Sequence, residues 1–153
     1  MTPPQLELAF ALANASVMPW WAVFVVAPRS RAAARLASHG AVFAALGALY
    51  AGLVVAAFGA GPAGPSTASP LAAASWRAVL GTDSGFLAGW VHYLCFDLFV
   101  GAWIVREARR IDVAPRVELL FAWLLGPLGL LLFLARRARR LRSFGGLGEI
   151  DAA

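Results

Sequence analysis

Four stretches run along this chain with no more than one charged residue each: Gln5 to Val26, His39 to Phe58, Phe86 to Val105 and Val117 to Ala135. Each is close to the ~20 residues that cross a hydrocarbon core as a helix. With 153 residues, 61% of them hydrophobic and 14% charged, the chain has more apolar surface than one small domain can bury in itself. Lipid must cover the rest. Period-two alternation punctuated by hairpin signals is lacking, which argues against a closed barrel. The expectation is an all-α polytopic membrane protein of about four transmembrane helices in a bundle. Residues 1–142 form its single membrane domain and 143–153 a flexible tail. The first stretch, interrupted by Asn14 and Pro19 and poor in N-terminal positive charge, reads as a retained span, not a cleaved leader.

Between spans two and three, Gly61 to Pro70 reads as a flexible connection. Leu71 to Leu80, with Trp76 and Arg77, is too short to cross and reads as an interfacial helix. Thr82, Asp83 or Ser84 is expected to cap the third span.

Every basic side chain is arginine, for a net charge of +5, and the arginines cluster at span ends. That placement argues against a nucleic-acid partner and for membrane lipid. In a four-span arrangement Arg29, Arg31, Arg35, Arg106, Arg109, Arg110 and Arg116 fall on one side. Arg77, Arg136, Arg137, Arg139, Arg140 and Arg142 fall on the other, so the positive-inside tally is nearly tied. The run from Arg136 to Arg142 reads as a snorkelling flank in preference to a headgroup site. Cys95 is the only thiol, and neither His39 nor His92 stands in metal-ligand spacing, so no metal site and no cofactor is expected.

The third span carries the chemistry. An ionisable residue at bilayer centre costs about 2.5–3.5 kcal/mol on insertion scales, and Asp97 is such a residue. At ~100° per residue, Trp90, Tyr93, Asp97, Gly101 and Ile104 share one face, expected to point into the bundle. Gly101 would admit a close backbone or a flat ligand, with Trp90 and Tyr93 as aromatic walls. His92 stands roughly 140° from Asp97 around the helix, so the two are not a ready-made dyad. Partners for Asp97 are sought on other helices: Asn14 at mid-depth, and the carbonyls of Ala15 and Trp123 that Pro19 and Pro127 would free. The plainer alternative is that Asp97 and Asn14 are interhelical glue, worth ~0.6–2 kcal/mol. In the same spirit, Gly126-Pro127-Leu128-Gly129 reads as a kink and close-packing device.

The run from His92 through Asp97 to Gly101, followed by Gly126-Pro127-Leu128-Gly129-Leu130-Leu131, resembles the abscisic-acid-deficient-four-like family. Ala13-Asn14, Pro19-Trp20-Trp21 and Ala27-Pro28-Arg29 resemble that family's first span and first loop. Plant members are plastid membrane proteins required for converting violaxanthin to neoxanthin, so the resemblance implies carotenoid or other isoprenoid chemistry, or binding of such a lipid. The lysine-free, alanine- and arginine-rich composition is that of a high-GC bacterial chain, so the expected location is a bacterial inner membrane.

Opening an epoxide to an allene needs a proton donor to oxygen and a base at a neighbouring carbon, without metal or redox cofactor. Burial favours the neutral form of Asp97, which suits it as donor, with His92 as the base. Asn14, Trp90, Tyr93, Gly101, Trp123 and Pro127 are the expected ligand-binding set. The competing expectation is an accessory or pigment-binding protein without turnover, and a proton pathway through one acid ranks below both. Four short spans leave little interior, so a homo-oligomer stays an open expectation.

Overall fold

A computed structural model describes residues 2–59, 72–144 and 146–147, and every regular element among them is an α-helix. In chain order these are α1 (Pro3–Val26), α2 (Arg31–Ala37), α3 (Ala41–Gly59), α4 (Ala73–Leu80), α5 (Asp83–Arg110), α6 (Arg116–Leu125) and α7 (Pro127–Leu141). The Gly61–Pro70 connection, Leu71 and most of the C-terminal tail lie outside the described residues. Three helical stretches are long and apolar enough to cross a membrane: α1, the segment Arg31–Gly59 comprising α2 and α3, and α5.

The chain divides into two compact units, with α1 and α5 each contributing to both. The first comprises Met1–Pro19 and His39–Phe96. Here α3 buries Val42, Leu46, Leu53 and Ala57, a single helical stripe, while Val55 and Phe58 on the far side of the helix stay exposed. An apolar helix with an exposed apolar back is made for lipid. The short helix expected before span three is α4, with Trp76 edge-on to Phe58 at 6.3 Å. Of the three candidate caps, Thr82 starts α5: its Oγ1 accepts the Gly85 amide at 3.0 Å.

The second unit comprises Trp20–Ser38 and Asp97–Ala153. There α5 ends on Asp112 at φ 54°, with the Val113 amide bonded back to the Ala108 carbonyl at 2.9 Å, a Schellman closure. The fourth apolar stretch departs from expectation. It is two helices, because Gly126 adopts φ 41°, ψ −95° and Pro127 opens α7, where its missing amide costs nothing. Pro127 therefore frees no carbonyl inside a continuous helix, as the sequence reading had it doing at Trp123.

The two arms run antiparallel in contact. A Cβ on Gly129 would fall into the backbone of Ala122 and the Glu118 carbonyl, and Arg136 donates to Glu118 at 2.9 Å and to the Ala114 carbonyl at 3.0 Å. Meanwhile α7 follows α5, with Phe133 edge-on to Trp103 at 5.4 Å and Arg137 bonded to Glu107 at 2.6 Å. At 10 and 15 residues, the arms rise only about 15 and 22 Å, short of a ~30 Å core.

This reversal overturns the near tie in the arginine tally. Arg136 and Arg140 reach Ala114 and Ile111, so the run from Arg136 to Arg142 lies at the same end of this unit as Arg109, Arg110 and Arg116. Arg109 bonds the carbonyls of Arg29 and Ser30, and Arg106 that of Ala37, which adds the first loop to the same end. Single cysteines at Ala114 and Ser143, in a Cys95→Ser background, are expected to react with an impermeant maleimide from the same membrane face. Labelling from opposite faces would restore a fourth crossing.

Candidate functional site

Asp97 is half-buried on α5 in the second unit, and its carboxyl lies against the turn of the α6–α7 hairpin. A Cβ on Gly126 would stand 2.5 Å from Asp97 Oδ1 and 3.0 Å from Oδ2. The positive φ of 41° is what favours glycine there. The carboxyl is thus held at the N-terminal end of α7, where helix partial charge favours an anion or an oriented acid.

One turn on, Gly101 is fully packed, but not by a ligand. A Cβ there would meet the Trp21 ring at 2.7 Å, and Trp21, only 1% exposed, stacks on Trp123 at 6.4 Å and 20° and meets Phe24 edge-on at 6.2 Å. The close approach expected at Gly101, of a backbone or a flat ligand, is made by an indole of the chain itself. The Pro19-Trp20-Trp21 run was the signal in the sequence, without indication of what it faced. Buried beside no hydrogen-bond partner, Trp20 Nε1 adds an unsatisfied donor to this unit. Trp123 and Pro127 are exposed, Trp123 while stacked on Trp21.

The remaining expected residues belong to the first unit. Asn14 donates to the Phe10 carbonyl at 2.7 Å, and its Oδ1 accepts from Trp90 Nε1 at 3.3 Å. Its amide is therefore engaged by Trp90 and by its own helix. Trp90 also meets Phe10 at 5.0 Å in a tilted pair and stacks with Phe86 at 6.5 Å. Tyr93 departs from the inward face: it is 61% exposed, because the buried stripe of α5 passes through Leu87, Val91, Leu98, Ala102 and Val105. His92 stacks on Phe96 at 4.6 Å and meets Tyr50 at 5.7 Å in a tilted pair.

Sequence reasoning missed a second polar centre in the second unit. Glu107, 6% exposed, receives Arg137 at 2.6 Å and Arg110 at 2.7 Å, and Arg137 is itself only 2% exposed and also donates to the Gly146 carbonyl. Nearby in sequence terms, buried Glu118 pairs through Oε1 with Arg136 while its Oε2 has no hydrogen-bond partner. Acids isolated among arginine-rich span flanks were the available signal. Among the described residues no group of three His, Cys, Asp or Glu is placed to hold a metal ion.

Exposed leucines, valines and phenylalanines on long helices, with Glu107, Glu118 and Arg137 buried, define an α-helical membrane protein. Residues 8–133 match the family model described as ABA4-like, ABA DEFICIENT 4-like, and the chain belongs to that family. No curated protein and no solved structure matches it.

Proposed function

We propose that this ABA4-like protein binds an oxygenated isoprenoid, of the carotenoid class, and isomerises it with Asp97 as the proton donor. The observation that carries the reading is the Asp97 carboxyl fixed against Gly126 at the hairpin turn, an acid in an apolar helix held where a lipid's oxygen can reach the membrane interior. Family membership supports the substrate class, and the exposed Trp123 supplies flat apolar surface in the same unit. A neutral Asp97 gives its proton to an epoxide oxygen as the C–O bond breaks. The carboxylate so formed takes the proton leaving the neighbouring carbon. The acid is regenerated and no electrons are gained or lost.

The same contact favours a second reading, in which Asp97 only caps α7 and joins it to α5, in a protein that holds pigment without turnover. Asp97→Asn separates them, since asparagine keeps the shape and hydrogen bonding but cannot donate the proton. For the isomerase, turnover of an epoxy-carotenoid in proteoliposomes is expected to fall by about 10²–10⁴-fold with retained pigment unchanged by mass spectrometry. Undiminished turnover in the variant would sink the donor role. Pigment retention without turnover in the native protein would establish the accessory reading.

A further inference from the structure

We propose that the C-terminal end of α7 is a binding site for the headgroup of an anionic phospholipid. Helix α7 is closed by Arg142 in the left-handed region, φ 54°, ψ 29°, a conformation that turns the chain back on the helix end. The turn brings Ser143 and Phe144 beside Ala135, Ala138, Arg139 and Arg142, and these six residues line an open groove of about 470 Å³.

Charge decides what the groove takes. In this unit Asp112 is engaged by Arg29, Glu107 by Arg110 and Arg137, and Glu118 by Arg136. Arg139 and Arg142 are exposed and have no acidic partner among the described residues. Two guanidinium groups on one groove, uncompensated, fit a phosphodiester.

The apolar part of the lining points to a lipid as the source of that phosphate. Ala135 and Ala138 form an apolar wall, and Phe144 is 82% exposed at the mouth, as interfacial aromatics are when they enter the headgroup region. A free phosphate has no use for either. A snorkelling flank explains arginines anywhere at a span end, but it does not explain a groove that pairs two of them with an exposed ring.

The test is a titration of the full chain in neutral detergent micelles with fluorescent phosphatidylglycerol, using phosphatidylcholine of the same acyl chains as comparison. Phosphatidylglycerol is expected to bind more tightly, with a preference that weakens as salt rises. Arg139→Gln with Arg142→Gln is expected to weaken its binding by about tenfold to thirtyfold, at unchanged helical circular dichroism. Arg31→Gln with Arg35→Gln removes the same charge from exposed sites on α2 and is expected to leave binding within about twofold, since it leaves the groove intact. Equal affinity for the two lipids would overturn the proposal. So would equal losses in the two double variants, which would mean a diffuse field, or displacement by glycerol phosphate as effective as by lipid, which would mean a free-anion site.

Discussion

Gly129→Leu is expected to force the α6–α7 hairpin apart and to destabilise the protein by about 3 kcal/mol, at the upper end of the usual cost of overpacking. The reason is the nature of the obstacle. At Gly129 a new Cβ meets the backbone of Ala122 and the carbonyl of Glu118, which cannot swing aside as the end of a side chain can. The arms must separate, and with them the Arg136 contacts to Glu118 and Ala114. Gly47→Leu on α3, where nothing lies within 4 Å of the new Cβ, is the matched control and is expected to be near neutral. Thermal unfolding in a mild detergent, followed by circular dichroism, reads both. Equal midpoints for the two variants would mean that the arms are not in contact.

The second large effect is expected at Glu107. Glu107→Ala removes the carboxylate shared by Arg110 and Arg137, and takes from the Arg137 cation, 2% exposed, its 2.6 Å ion pair. Breaking a buried pair in this way costs about 3–5 kcal/mol. The companion variant Glu107→Leu with Arg137→Leu removes both buried charges and is expected to recover most of that loss. A double variant no more stable than Glu107→Ala would show that the pair contributes through geometry, not through compensation of a buried charge. Because Glu107 on α5 and Arg137 on α7 join helices that Phe133 and Trp103 also join, the single variant is expected to loosen the arginine-rich end as a whole.

What could be read in advance was whatever depends on neighbours along the chain. Hydropathy over some twenty residues located α1, α3 and α5. A cap among Thr82, Asp83 and Ser84 followed from a short polar run before an apolar one, and α4 from a segment too short to cross, while the choice of Thr82 came from the structure. Asp97 stood out because a single acid in an apolar helix is costly wherever it faces. Family membership was legible in the same local motifs, and the family match over residues 8–133 spans them.

What could not be read was the direction of the chain after Gly126 and the identity of the groups brought together. Glycine before proline permits a kink or a full reversal. The difference lies in a backbone turn at φ 41° and in whether Gly129 finds Ala122, a choice made by packing between segments. The same holds for Gly101, whose lack of a side chain announced a close approach without saying that Trp21 would make it. The sequence by itself therefore determined that this chain belongs in lipid, which helices it forms and which acid is out of place. Only the tertiary structure decided that the fourth apolar stretch turns back, that Asp97 meets its turn, and that the arginines flanking it gather at one end of their unit. Hydrophobicity is a property of each residue and sums along the chain, whereas a hairpin depends on close contact between backbones that no single residue encodes.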